Sequence, residues 1–167
     1  PEFNAVRTAG LYIGQELRAV GINCNLAPVA DINSNPANPV IGTRSYGDDA
    51  ERVAADAAAF ATGLQESGVL AVAKHYPGHG DTSIDSHYGL PSVNKTLEEL
   101  RSLELIPFNA VQNADIGAVM AAHIVFPQID STGLPATLSQ PVLTGVLRKG
   151  GFDGLILTDS MRMGAIM

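Results

Sequence analysis

A chain of 167 residues, 46% hydrophobic and 16% charged, is long and apolar enough for one domain with a real core and is not a disordered segment. A formal net charge of −7 without a basic patch argues against a nucleic-acid partner or an anionic membrane surface, and no apolar stretch approaches the roughly 18 residues of a membrane span. Cys24 is the only cysteine, so no internal disulfide holds the fold; compartment stays open between cytoplasm and a secreted or cell-wall location, and oligomeric state is equally silent.

Helix-period segments alternate with short apolar runs. Val6, Ala9, Ile13, Leu17 and Val20 recur at spacings of three and four as far as Gly21, which predicts a first helix. "NLAPVADI" (25–32) follows as the first strand. A second helix carries Val53, Ala57, Phe60 and Leu64 on one face and stops at Gly68, and "VLAVAKHY" (69–76) is the second strand. Thr96 with Glu99 forms a capping box for a third helix, which Pro107 breaks or restarts as a second short helix. "AVMAAHI" (118–124) is the third strand, Ser139 caps a helix that ends near Gly150, and "LILTD" (155–159) is the fourth strand. Pro1 leads almost at once into a helical pattern and "LILTDSMRMGAIM" stops just after an apolar run, so both ends read as cut through a continuing architecture.

Apolar runs without alternation predict strands buried on both faces, the pattern of a parallel sheet. Parallel βα repeats build either a doubly wound sheet or a (β/α)8 barrel. Each strand here ends in ionisable groups: Asp31, then Lys74 and His75, then His123, then Asp159. Barrel enzymes gather their sites from the C-terminal ends of several strands, and no glycine-rich dinucleotide fingerprint follows any strand. The expected fold class is therefore α/β, a (β/α)8 TIM barrel represented by about four βα units.

The densest chemistry lies in "KHYPGHGDTSIDSH" (74–87), which holds three of the four histidines. Asp159 closes an apolar strand, where a partly desolvated carboxylate serves as nucleophile or electrostatic stabiliser; its bland alternative is a helix N-cap. Asp85 and His87 are two apart, so in an extended stretch they point the same way, and the carboxylate can fix the imidazole tautomer for acid–base work. As a bare pattern Asp-x-His is weak, and its company raises its weight. Lys74 and His75 can donate to substrate hydroxyls, or Lys74 can pair with a carboxylate. Arg44 is suited to bidentate recognition, or pairs with Asp48 or Asp49. His123 reads equally as a satisfied core histidine or a substrate contact, and His79 as a residue that holds its loop by bonding carbonyls. A competing reading makes the loop a metal site of His75, His79, Asp81, Asp85 and His87.

"KHYPGHGDTSIDSHYGLP" (74–91) resembles the signature of glycoside hydrolase family 3, in its β-N-acetylhexosaminidase branch. "LAPVADIN", "RSYGDD", "MAAHIVFP" and "LILTDSMRMGAI" resemble other barrel motifs of that family in the same order, so the likeness spans nearly the whole chain. The resemblance implies that residues 1–167 are part of a single catalytic barrel domain, truncated at both ends. It also implies a retaining exo-β-N-acetylglucosaminidase acting on peptidoglycan- or chitin-derived oligosaccharides, with no cofactor and no metal. By it Asp159 matches the nucleophile, His87 the general acid/base and Asp85 its dyad partner. Lys74, His75 and Arg44 match residues that bind the sugar hydroxyls, and Asp31 matches a position lining the same pocket. The family's Asp-Gln-Glu-Gly-Gly-like strand end has no counterpart here. A β-glucosidase-like exo-glycosidase, phosphorolysis in place of hydrolysis, or a catalytically silent barrel fragment are the alternatives.

Overall fold

The computed structural model describes residues 2–167, with side-chain environments from residue 5. Helix α1 (Glu2–Ala19) leads to a short strand β1 (Cys24–Asn25), helix α2 (Ala50–Glu66) and strand β2 (Leu70–Tyr76). Helices α3 (Leu97–Ser102) and α4 (Leu105–Asn113), strand β3 (Ala118–Ala121), a π-helical segment (Pro141–Arg148) and strand β4 (Leu155–Thr158) complete the order. All four strands are parallel and stand in the sequential order β1-β2-β3-β4. A sequential order has no point at which strand order reverses, as a doubly wound sheet must. This is the topology of four consecutive βα units of a barrel.

Local chemistry explains the boundaries. Asp49 caps α2 by accepting from the Arg52 N–H at 2.8 Å, and Thr96 and Glu99 form the expected capping box of α3. Pro107 sits in the first turn of α4, where its missing N–H has no helical partner to lose. The first strand is shorter than expected because Pro28 has no N–H to donate to the ladder. Its neighbours still follow β2: Val72 donates to Ala27 O, Lys74 to Pro28 O, and Ala30 to Lys74 O at 2.6 Å. The third ladder ends at Ala121, three residues before the predicted end, and the Ile124 carbonyl instead accepts from Ala136. After Ser139 the chain winds as a π-helix, with Ser139 Oγ accepting from the Val142 N–H at 3.3 Å.

The two faces of the sheet differ. Between sheet and helices lies the main core, with Leu64, Val69, Leu100, Val111, Ile124 and Phe126 all at most 1% exposed. Each such side chain contributes about 1.5–3 kcal/mol by leaving water. On the inner face Val72, Ala118 and Met120 pack with Cys24, Leu70 and Leu157. That face is not closed over along its whole width: Leu26 and Leu155 are exposed, where burial on both faces was expected. Residues 155, 157 and 159 share the inner face by the period of two, which carries Asp159 to the mouth of the sheet.

Helices α1 and α2 approach closely through glycine. A Cβ on Gly63 would meet the Arg7 carbonyl oxygen at 2.0 Å, and one on Gly10 the Phe60 carbonyl oxygen at 2.4 Å. Backbone cannot yield as a side-chain tip does, so Gly63→Ala is expected to cost about 2 kcal/mol, read as a lower urea midpoint at unchanged slope.

Candidate active site

The floor of the site is Asp31, which is fully buried. Its Oδ1 accepts from the backbone N–H of His79 at 2.8 Å and of His75 at 3.1 Å, and its Oδ2 lies 2.7 Å from His75 Nδ1. Burial alone would push this carboxyl up, but the His75 imidazole, the His79 charge and the backbone donor outweigh it and hold it below the usual range. With Nδ1 donating to Asp31, the ring turns Nε2 towards Asp159 Oδ2, 4.0 Å away.

His75 reaches the mouth because β2 is irregular there. Lys74 pairs with Met120 and Tyr76 with Ala121, so His75 has no partner on β3 and the ladder shifts around it. Consecutive residues then both face one cavity. The Lys74 ammonium is half-buried; burial and the neighbouring Arg44 hold its pKa below the ordinary lysine value, against the pull of Asp159 and Asp31. Among the described residues Lys74 makes no ion pair, and Arg44 pairs with neither Asp48 nor Asp49 but donates to the Val40 carbonyl.

Asp159 follows β4, donates its N–H to Ala121 O, and accepts from the Ser160 N–H at 2.7 Å. Its side chain keeps 23% of its surface open. Beneath it, His123 is 1% exposed and spends both ring nitrogens inside the protein, on Thr137 Oγ1 at 2.7 Å and on the Ser160 carbonyl at 3.0 Å. His123 therefore supports the segment that carries Asp159 instead of opening onto the cavity. Asp31, likewise, lies beneath the pocket rather than lining it.

His87 and Asp85 come together as expected, at 2.7 Å between Nδ1 and Oδ1, but not through an extended stretch. Asp85 Oδ1 also accepts the His87 N–H at 2.9 Å, and Asp85 O accepts from Tyr88 and Gly89, so the pair sits in an Asx turn. The slight burial of Asp85 pushes its carboxyl up, and the two donors from His87 overcome this and hold it below the usual range. The His87 ring keeps 56% of its surface exposed, with Nε2 free of the Asp85 contact. His79 holds the loop from within, through the hydroxyls of Thr82 (2.7 Å) and Ser86 (3.0 Å) instead of carbonyls.

Arg44, Lys74, His75, His79, His87 and Asp159 share a cavity of about 120 Å³, walled by Leu26, Val40 and Met120. The residues considered as metal ligands do not converge. Asp81 turns outward to Lys95 at 2.8 Å, Asp85 holds His87, and among the described residues no three His, Cys, Asp or Glu side chains are placed to hold a metal ion. Sequence reading missed Lys95, which also binds the buried Glu104 at 2.5 Å, and Asn38. The Asn38 amide donates to the His79 and Thr82 carbonyls while its oxygen accepts from Val40 and Ile41. The run "NSNPANP" carries a signal for such Asx turns, but not for their distant partners.

The family model described as the glycosyl hydrolase family 3 N terminal domain matches residues 1–167. The chain is 41% identical to a β-hexosaminidase of Methylococcus capsulatus, over 95% of this chain and 47% of that one. It is 39% identical to β-hexosaminidase A of Pseudoalteromonas piscicida, over 92% of this chain and 28% of that one. A solved glycoside hydrolase family 3 β-N-acetylglucosaminidase from Paenibacillus sp. superposes with a TM-score of 0.95 at 51% identity, covering 96% of this chain and 31% of that one. The chain thus spans less than half the length of these relatives.

Removing Asp31 leaves three N–H donors without an acceptor, so Asp31→Ala is expected to cost about 3 kcal/mol. The carboxyl titrates lower in the folded chain than in the unfolded one, where its pKa is about 3.9. Its contribution is present above that value and lost as pH falls below it. Urea midpoints measured from pH 5 down to pH 3 should fall more steeply for wild type than for Asp31→Asn.

Proposed function

The chain belongs to glycosyl hydrolase family 3, and from that premise we propose that it carries the sugar-binding and catalytic groups of a retaining exo-β-N-acetylglucosaminidase. Residues 1–167 are, in this reading, part of a single catalytic barrel domain. The observation that carries it is the single cavity shared by Asp159, His87, Lys74, His75 and Arg44, with His87 backed by Asp85. The hexosaminidase names of the relatives support an N-acetylglucosamine substrate, and terminal residues of peptidoglycan- or chitin-derived oligosaccharides fit that class.

The chemistry follows from the placement of each group. Lys74 and Arg44 are donors that fix the sugar hydroxyls over Asp159, and His75, its Nδ1 committed to Asp31, meets them through Nε2. An Asp159 oxygen attacks the anomeric carbon as the glycosidic C–O bond breaks, and the departing oxygen takes that electron pair and a proton from His87 Nε2. The anionic Asp85 stabilises the imidazolium before that step. Water then attacks the glycosyl ester, gives its proton to His87 Nε2, and displaces the Asp159 carboxylate. Two inversions give net retention. A histidine in this role puts an imidazole, backed by Asp85, where carboxylate-pair enzymes place their second carboxyl group.

The test is release of 4-nitrophenol from its N-acetyl-β-glucosaminide and its β-glucoside by the full-length protein, with Asp159→Ala and His87→Ala beside wild type. Turnover confined to the N-acetyl substrate, and reduced at least about a thousandfold in Asp159→Ala, is expected. Equal turnover of the glucoside moves the substrate class, and turnover that survives Asp159→Ala removes the assigned nucleophile.

A further inference from the structure

The acid/base pair rides on an exposed loop, yet its backbone is tied directly to the stretch that follows the candidate nucleophile. Gly164 N–H donates to His87 O and Ala165 N–H to Ser86 O, both at 3.1 Å. The same stretch is anchored below: Ser160 O accepts from His123 Nε2 at 3.0 Å and from the Met163 N–H at 3.1 Å, and Met163 is buried. From the other side, Ser86 Oγ meets the buried His79 at 3.0 Å, and His79 N–H reaches Asp31. Both carriers of the chemistry therefore hang on one short seam. At that seam no side chain fits, because a Cβ on Gly164 would stand 2.7 Å from His87 O and 3.2 Å from two Tyr88 backbone atoms.

We propose that Gly164 is a positioning residue: its bare backbone seats the Ser86–His87 segment so that the His87 imidazole stands at the leaving-group side of Asp159. The inference rests on the glycosidase reading above and extends it to a residue that touches no substrate. A methyl at Gly164 must push the loop away from the seam and carry His87 with it. Asp159, held by its own bonds to Ala121 O and Ser160 N–H, stays in place. The loss then falls on proton donation alone.

Leaving-group dependence reads that step. An activated aryl leaving group departs without a proton, whereas a sugar or alkyl leaving group needs one. For Gly164→Ala in the full-length protein, kcat/KM on chitobiose should fall about tenfold or more, and kcat/KM on 2,4-dinitrophenyl N-acetyl-β-glucosaminide by less than about twofold. Gly145→Ala, whose Cβ would meet nothing within 4 Å, serves as the control and should leave the ratio unchanged. A Gly164→Ala ratio equal to wild type overturns the proposal. If that variant does not fold, amide exchange of wild type decides. Gly164 and Ala165 exchanging at least about tenfold slower than free backbone supports the seam, and exchange at the free rate overturns it. A wild type that turns over neither substrate strikes the glycosidase reading itself, whereas an active wild type with an unaltered ratio in Gly164→Ala strikes only the seam.

Discussion

One buried carboxylate organises the whole site. Asp31 cannot reach water, so its charge persists only because β2 and its following loop aim three N–H groups at it. Each of those donors belongs to a residue whose placement matters: His75 faces Asp159, and His79 grips the loop through Thr82 and Ser86. Displacing any of them strands a charge in the interior, so the stretch that follows β1 and the end of β2 are locked together. The cavity above inherits that rigidity although Asp31 does not line it.

The rest of the site is built to a different standard. Lys74 and Asp159 sit on or next to strands and are partly shielded, which on the proposed reading suits groups that hold a ring in a fixed pose, whereas Arg44 reaches the cavity from the exposed 3-10 turn Gly42–Arg44. Crowding of Lys74 by Arg44, with Asp159 and Asp31 near enough to compensate, leaves the cavity balanced in charge though locally dense. His87, by contrast, keeps more than half of its ring in solvent and relies on an Asx turn and two backbone bonds for its direction. If His87 delivers the proton as proposed, that step tolerates such a mount, since the group must also meet water.

Much of this was legible in the residues. Strand and helix identity followed from periodicity, and the ionisable ends of the strands pointed to one mouth; the capping box at Thr96 and Glu99 formed as written. The errors lie where long-range partners decide. Pro28 cut the first ladder to Cys24–Asn25, and the segment after Ser139 took π-helical pitch, which no spacing rule signals. Asp85 and His87 met through a turn in place of a strand because the carboxylate found its own backbone first. For His123 the bonds to Thr137 and Ser160 favour the core-histidine alternative over a substrate contact, and Asp31, which the family resemblance puts at the pocket, bonds inward to His75 and His79. Lys95, joining Asp81 to Glu104, gave no local signal because its two partners are fourteen residues before it and nine after.

The split between a sheet-anchored floor and a loop-borne Asp85–His87 pair has a consequence for how such a protein can diversify. Asp31, His75 and Asp159 are interlocked with the sheet, and a change at one demands changes in the elements around it. The stretch from Asp81 to Gly89 is attached through Lys95, Asn38, His79 and the backbone of Gly164 and Ala165, and carries its own Asp85–His87 pair as a cassette. On the proposed reading, a substitution at His87 leaves the bonds of Asp31 and His75 untouched, so the proton donor can be exchanged while the floor stays intact.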